Sequence, residues 1–409
     1  MRILILTQYF PPETGAPQNR LSALANWFHL NGHHVEVLTG MPNYPSLTLF
    51  KEYANLNSIT ETYNGYNVKR VSLFLGGKGF VNRLRTYFSF CWNALIFSKE
   101  NFNKDSFDWV FCESPPLFLG ISAKIISKHT GAKLWVNISD LWPESVEKLG
   151  IVKNKAVLYP FYQLEKWLYK HADFISGQTQ GICTAIEKTS GKKAHWYPNG
   201  ISLDEISSQQ DSIIPVHLNG LFSKKVVLYS GNFGYAQGLE LIIETAELFK
   251  NHSDLIFLLI GDGPEEDKLK SLVNSKKLSN VYIFNSVSRS VLISIIKQSI
   301  ASIVPLRDIE LFRGAIPSKI FEPLAIGTTV LLGVKGEAYD IFCVQSDSVY
   351  YFEPEDQISL SQAITKLLSD EVEKLNKINN GKSLINLKFN RDQIHKDLIA
   401  ALDSITSEY

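Results

Sequence analysis

The chain has 409 residues, 45% hydrophobic and 20% charged, a length that excludes a single ordinary core and predicts two domains of about 200 residues each. Formal net charge is zero, but residues 1–200 carry 21 Lys and Arg against 14 Asp and Glu, leaving the remainder as acidic as this half is basic; a basic half suits an anionic partner such as a membrane face or a phosphorylated lipid. Cys91, Cys112, Cys183 and Cys343 form no CxxC pair, which fits free thiols in a reducing compartment better than a disulfide framework or a zinc site. In chain order, a buried strand is predicted at Ile3–Thr7, a Pro/Gly-rich loop at Phe10–Pro17, a helix from about Asn19 to Leu30 and a strand at Val35–Thr39. That succession is a right-handed parallel crossover unit. Strands follow at Val68–Val71, Trp109–Cys112, Leu134–Ile138 and Phe174–Ser176, with an amphipathic helix at Leu158–Tyr169. The opening strand is too short for a signal-peptide core. Thr86–Phe97, interrupted by Asn93, falls short of the roughly 18 apolar residues of a spanning helix. A cytoplasmic protein without a membrane span is expected.

The pattern then restarts. Strand Val226–Tyr229 leads into a glycine-rich loop, Ser230–Gly238, and helix Leu239–Phe249; strand Leu255–Ile260 leads into the turn Gly261–Pro264 and helix Glu265–Asn274. Strands at Val281–Phe284, Ala301–Val304 and Thr329–Leu332 complete a second doubly wound sheet, and the polar stretch Tyr197–Ser223 holds the hinge. The expected fold is α/β, two Rossmann-like parallel-sheet domains facing each other across a cleft, with boundaries at residues 1–200 and 201–385 and a C-terminal helix at 386–409 returning toward the first domain. Ligands of such sheets bind beyond the carboxyl ends of the strands. No nucleophile elbow, P-loop or metal-ligand cluster lies there, and the first strand lacks a GxGxxG fingerprint, which disfavours an ordinary NAD enzyme.

The strongest local signal is the run Pro317 to Gly327, followed by an apolar strand. Pro317 and Ser318 open a helix and Gly327 ends it. A helix N-terminus binds phosphate through free N–H groups and its dipole, and Lys319 adds a full charge. Glu322, on the same helix face, has the reach to accept hydrogen bonds from two adjacent sugar hydroxyls. The alternative is a Lys319–Glu322 surface pair worth only a few tenths of a kcal/mol.

With these motifs the chain resembles retaining glycosyltransferases of family 4, which have the GT-B fold, and especially their bacterial surface-polysaccharide branch of N-acetylfucosaminyltransferase type. The resemblance rests on Tyr9–Gly15, Gly32–Pro45, Ser114–Gly120, Asp140–Ser145, Pro198–Gly200, Gly231–Gly238, Gly261–Pro264 and Pro317–Gly327, eight fragments in the family's order. It implies that Glu322 holds the donor ribose, and that Ser318, Lys319 and the loop with Gly231, Asn232, Gly234 and Gln237 bind the donor diphosphate, beside Gly261 and Gly263. Two positions depart from the family: Gly314 stands where a second glutamate is usual, and Gln237 where many relatives have lysine. Arg307 and Arg313 are then the further candidates for the diphosphate charge, Arg suiting a bidentate grip, or else residues of a solvated loop. In the first domain, Gly15 permits close backbone approach to the donor phosphates or merely serves a turn. Asp140, at the end of its strand, is the choice for the group contacting the transferred sugar or the acceptor hydroxyl, with helix capping as the competing role; Glu144 and Glu113 are further acceptor-side candidates.

What the resemblance implies for function is retaining transfer from a nucleotide sugar, UDP-linked, to an undecaprenyl-diphosphate-linked saccharide in capsule or O-antigen assembly, with no cofactor and no metal. Front-face transfer follows, the leaving phosphate helping to take the acceptor proton while Lys319 and helix dipoles stabilise it. A non-hydrolysing nucleotide-sugar 2-epimerase of the same fold and a non-catalytic sugar-nucleotide-binding module remain alternatives. Gly76–Phe97 interleaves Lys78, Arg83 and Arg85 with aromatic residues, a pattern able to lie on an anionic bilayer or to bury its aromatics against its own sheet. Nucleic acid is a poor partner, since no arginine-rich motif accompanies these charges.

Overall fold

The computed structural model describes residues 1–44, 47–77, 79–148, 152, 154–209 and 212–406. They form two units, Met1–Pro198 with the C-terminal residues from His395, and Asn199–Ile394. The first contains β1 (Arg2–Leu6), helix α1 (Ala16–Leu30), β2 (His34–Gly40), the hairpin β3 (Ser58–Tyr63) and β4 (Tyr66–Val71), helix α2 (Phe80–Asn101), β5 (Trp109–Ser114), helix α3 (Leu119–Thr130), β6 (Lys133–Ile138), β7 (Phe174–Gly177) and β8 (His195–Trp196). Their order across the sheet is β3-β4-β2-β1-β5-β6-β7-β8.

Every neighbouring pair in this sheet is parallel except β3 with β4. That antiparallel edge was not anticipated from the periodicity. Its signal was Asn64-Gly65, whose φ angles of 47° and 94° are those of the two-residue turn that matches strand twist and favours Asn-Gly. Helix α1 begins earlier than expected, with Pro17 in its first turn, where a missing N–H costs nothing.

The second unit contains β9 (Lys225–Ser230), β10 (Leu255–Ile260), β11 (Val281–Phe284), β12 (Ala301–Pro305), β13 (Thr329–Gly333) and β14 (Tyr350–Tyr351), ordered β11-β10-β9-β12-β13-β14 and all parallel. All six residues of β10 are buried, because helices cover both faces of a parallel sheet and no polar alternation survives. Each fully buried Leu, Ile or Phe there contributes about 1.5–3 kcal/mol. Both sheets reverse their winding at one place, between β1 and β5 and between β9 and β12. The crevice beyond the carboxyl ends at such a reversal is where doubly wound folds hold ligands, and the loops after β1 and β9 carry Gly15 and Gly231 there.

Candidate functional site

In the second unit the loop after β9 is fixed by backbone hydrogen bonds to the loop after β10: Gly231 N–H to Ile260 O at 2.9 Å, Phe233 N–H to Asp262 O at 2.9 Å and Glu265 N–H to Phe233 O at 2.9 Å. Phe233 is fully buried beneath it. The glycines answer to steric need. Gly231 has φ 134°, and a Cβ on it would collide with the Lys319 side chain, while side chains at Gly261 or Gly263 would strike the backbone of Gly231 and Phe233. Asn232 is exposed on this loop, Gly234 lies buried and Gln237 ends a short 3-10 turn, its Oε1 buried without a partner.

The Pro317–Gly327 run does not form one helix. Ser318–Ile320 is a 3-10 turn and Phe321–Ile326 a short α-helix closed by Gly327 in the left-handed region at φ 95°; with Pro323 inside it, a longer helix is not sustained. Lys319 and Glu322 consequently part company, and the Lys319–Glu322 surface pair does not form. Lys319 is half-buried; its ammonium donates to the Tyr229 hydroxyl and lies 4.2 Å from the centre of that ring, and Tyr229 in turn donates to Asn232 O at 2.7 Å. Desolvation lowers the Lys319 amine to about 8. Glu322 instead accepts from Arg289 Nε at 2.9 Å, and Arg289 Nη1 reaches Glu205 at 3.0 Å.

Arg307 requires a correction. Its Nη2 pairs with Glu240 at 2.5 Å, its Nη1 with Glu355 at 2.9 Å, its Nε donates to Tyr235 O at 2.8 Å and its backbone N–H to Ala236 O at 3.0 Å. Two carboxylates already balance its charge, so it braces the glycine loop rather than offering a free cation. Arg313 is exposed, 3.9 Å from Asp308. Beside it Gly314 has open space where a side chain would project, so the departure from the family is chemical, not enforced by crowding.

In the first unit Glu113 also needs correcting. Only 4% exposed, it is held by Arg20, by the Ser139 hydroxyl and by Asn137 Nδ2 at 2.9 Å. A carboxylate so buried, with both oxygens engaged, stiffens the ends of β5 and β6 rather than reaching for an acceptor. Glu144 forms an i,i+4 pair with Lys148 at 2.8 Å, a contact worth a few tenths of a kcal/mol. Asp140 keeps a solvent-reaching side chain; desolvation raises its carboxyl and Glu144 adds to this, while the Ser145 hydroxyl and the Leu141 N–H oppose it. Gly15 precedes α1 in extended backbone, and a Cβ there would collide first with the Gln18 amide.

Several residues of these sites escaped the sequence reading. Glu13 accepts the N–H groups of Phe10 at 3.2 Å and of Asn43 and Tyr44 at 2.8 Å each, joining the loop after β1 to the one after β2; a carboxylate inside a Pro-rich loop was the available signal. Arg20 is the lone Lys or Arg in α1, and a single cation in a helix without acidic residues points to a partner on another element. Nothing local marked Arg289 or Tyr229. Among the described residues, no group of three or more His, Cys, Asp or Glu is placed to hold a metal ion.

Residues 219–383 match the family of glycosyl transferases group 1. With the two doubly wound units, this defines the class: the chain is an enzyme, a glycosyltransferase with the GT-B fold. It is similar to a protein of Escherichia coli strain K12 assigned as the colanic acid biosynthesis glycosyl transferase WcaI, 25% identical over 354 residues that cover 83% of this chain and 84% of that one. Of solved structures, sucrose-phosphate synthase from Thermosynechococcus elongatus superposes over all of both chains with a TM-score of 0.73 at 16% identity. Anabaena HepE in complex with UDP does so over 99% of this chain and 100% of that one, with a TM-score of 0.70 at 15% identity.

Proposed function

We propose that the protein transfers a sugar, with retention of anomeric configuration, from a UDP-linked donor to a lipid-linked saccharide in bacterial surface-polysaccharide assembly. The observation that carries this reading is the meeting of Lys319 with Tyr229 and the Gly231–Gly238 loop at the winding reversal of the second sheet, which supports this unit as the donor side. Lys319 meets the diphosphate, the glycines let its oxygens approach backbone N–H groups, and Glu322 accepts the ribose hydroxyls. Asp140, in the acceptor-side unit, orients the incoming hydroxyl. The name of WcaI supports a place in polysaccharide synthesis, and the UDP held by HepE supports the nucleotide. An N-acetylated deoxyamino sugar such as N-acetylfucosamine is the donor sugar we favour.

The test is incubation with a panel of UDP- and GDP-sugars, with and without a polyprenyl-diphosphate saccharide, in EDTA. Glycosylated lipid of retained configuration is expected only when acceptor is present, at a rate unaffected by chelation, because cationic side chains and backbone dipoles supply the leaving-group stabilisation. Interconversion of epimers without acceptor would overturn the transferase reading in favour of an epimerase. Loss of transfer in EDTA, restored by manganese, would overturn metal independence.

The membrane contact we propose differs from the pattern read in the sequence. Lys78 lies outside the described residues and Arg83 lines a pocket. Phe90 and Ala94 are core, with Leu84 and Tyr87 packed against it. One exposed stripe of α2 carries Val81, Arg85, Phe88, Trp92 and Ile96, at helical spacing, with Trp92 65% exposed, and the neighbouring α3 adds Ile121 and Ile125. No described helix is long and apolar enough to cross a membrane, so this stripe is suited to lying in an interface. The double variant Arg85→Gln/Trp92→Ser should bind vesicles containing anionic lipid at least fivefold more weakly than the parent, since one basic residue near such a surface contributes about 1 kcal/mol. Equal co-sedimentation of parent and variant, or none by the parent, would make α2 an ordinary domain helix.

A further inference from the structure

The Pro198–Gly200 fragment takes no part in the donor site, yet it stands where the chain passes into the second unit, which opens at Asn199 and closes at Ile394. The opening and closing segments are stitched together. Ile201 N–H donates to Phe389 O and Arg391 N–H to Ile201 O, both at 2.9 Å, in a parallel bridge between Ile201 and Asn390. Gly200 answers to this close approach: a Cβ on it would strike Phe389 O and the Ile394 side chain.

The helix Phe321–Ile326, which carries Glu322, reaches the stitch by two routes from adjacent residues. The apolar route is Phe321, 3% exposed, whose ring centre lies 5.1 Å from that of the fully buried Phe389. The polar route is a chain of alternating charges. Glu322 accepts from Arg289 Nε at 2.9 Å, Arg289 Nη1 meets one oxygen of Glu205 at 3.0 Å, the other Glu205 oxygen lies 3.9 Å from Arg391 Nη1, and Arg391 Nη2 donates to Gly200 O at 3.0 Å. Glu205 belongs to the short helix Leu203–Ser208, which packs against the helix of Glu322. Each guanidinium spans two partners, as its fixed fork allows. An isolated exposed ion pair orders little. Here the side chains are joined end to end between the donor carboxylate and the backbone of Gly200, so that ordering one end restricts the other.

We propose that Glu205 and Arg391 are positioning residues for the donor: they set the orientation of Glu322 through Arg289, and ribose bound at Glu322 in turn tightens the stitch between Ile201 and Arg391. The inference rests on the reading of Glu322 as the ribose carboxylate and extends it to residues at both ends of the unit. Such coupling is reciprocal. A stitch that ribose strengthens must strengthen ribose binding by the same factor.

Hydrogen exchange followed by mass spectrometry on the full chain tests it, with UDP and 2′,3′-dideoxy-UDP at saturation. The second ligand keeps the base and the diphosphate and lacks the hydroxyls that reach Glu322. UDP should slow exchange about threefold in the peptides holding the Ile201 and Arg391 amides, the size of effect that half-exposed ion pairs sustain, and dideoxy-UDP should leave them as in the free protein. Glu205→Gln should abolish that slowing, weaken UDP about threefold and leave the affinity for dideoxy-UDP unchanged. Arg391→Gln, with folding checked by circular dichroism because it also loses the bond to Gly200, should do the same. A general loss of stability would lower both affinities alike, which separates it from positioning. Absence of slowing by UDP, equal slowing by the two ligands, slowing that survives Glu205→Gln, or equal weakening of both ligands by that variant would each overturn the relay. A parent that binds UDP and dideoxy-UDP alike would instead overturn the reading of Glu322 beneath it.

Discussion

Glu322→Ala is expected to raise the dissociation constant for UDP and UDP-sugars at least tenfold and to lower kcat/KM by at least as much. The Glu322 carboxylate is held by Arg289 Nε at 2.9 Å, and Arg289 is itself anchored on Glu205 at 3.0 Å, so its orientation is set before a donor arrives. Two ribose hydroxyls donating to such a carboxylate form charge-assisted bonds worth about 1.5–3 kcal/mol each, and even one of them exceeds the 1.4 kcal/mol of a tenfold change. The same chemistry gives a readout that a purely structural role would not move. The parent should prefer UDP over 2′-deoxy-UDP, and Glu322→Ala should bind the two alike. A folded Glu322→Ala variant with unchanged kinetics, or with the sugar preference intact, would remove Glu322 from the donor site.

Lys319→Met is expected to cost donor affinity by two orders of magnitude or more, and the parent should show a pH dependence traceable to the same amine. Desolvation sets this amine at about 8, below its ordinary value, so the charged form dominates at pH 7 and is lost as pH rises through 8. If only the ammonium form grips the diphosphate, affinity should fall about tenfold between pH 7 and pH 9. A bound diphosphate raises the amine again, so donor binding should take up protons near pH 8, which calorimetry in buffers of different ionisation enthalpy detects. Lys319→Arg stays charged throughout this window and should flatten the profile, whatever its affinity. A parent whose UDP affinity is constant from pH 7 to pH 9 would show that Lys319 is not the diphosphate cation.

The sheets were legible because burial in a doubly covered parallel sheet leaves a local trace. Leu255–Ile260 and Val281–Phe284 were read to the residue, since a run of apolar residues bounded by Gly, Asn or Asp needs no knowledge of its neighbours. The edge strand Ser58–Tyr63 was missed because it alternates polar and half-buried residues and owes its existence to the hairpin partner. Lys319 and Glu322 were found as chemistry-bearing side chains around Pro317–Gly327, but the helix they were assigned to was broken by its own Pro323. Arg307 and Glu113 looked like free charges because their partners, Glu240 and Glu355 for one and Arg20 for the other, stand 48 to 93 residues away in sequence.

By itself, then, the sequence determined which segments are buried strands, that they repeat as two doubly wound sheets, and that glycines and charged residues gather after β9, after β10 and around Lys319. These are consequences of hydrophobic patterning and turn chemistry, which act over a few residues at a time. Only the tertiary structure decided which of the charges are already spent and which remain for a ligand. Arg307 is neutralised by two carboxylates, Glu322 is oriented by a guanidinium from another helix, and Arg83 faces a pocket and not the membrane side of α2. The physical reason is that charge compensation and desolvation depend on which side chains lie within a few ångströms, and that proximity is produced by strand order and crossover connections that no local pattern encodes.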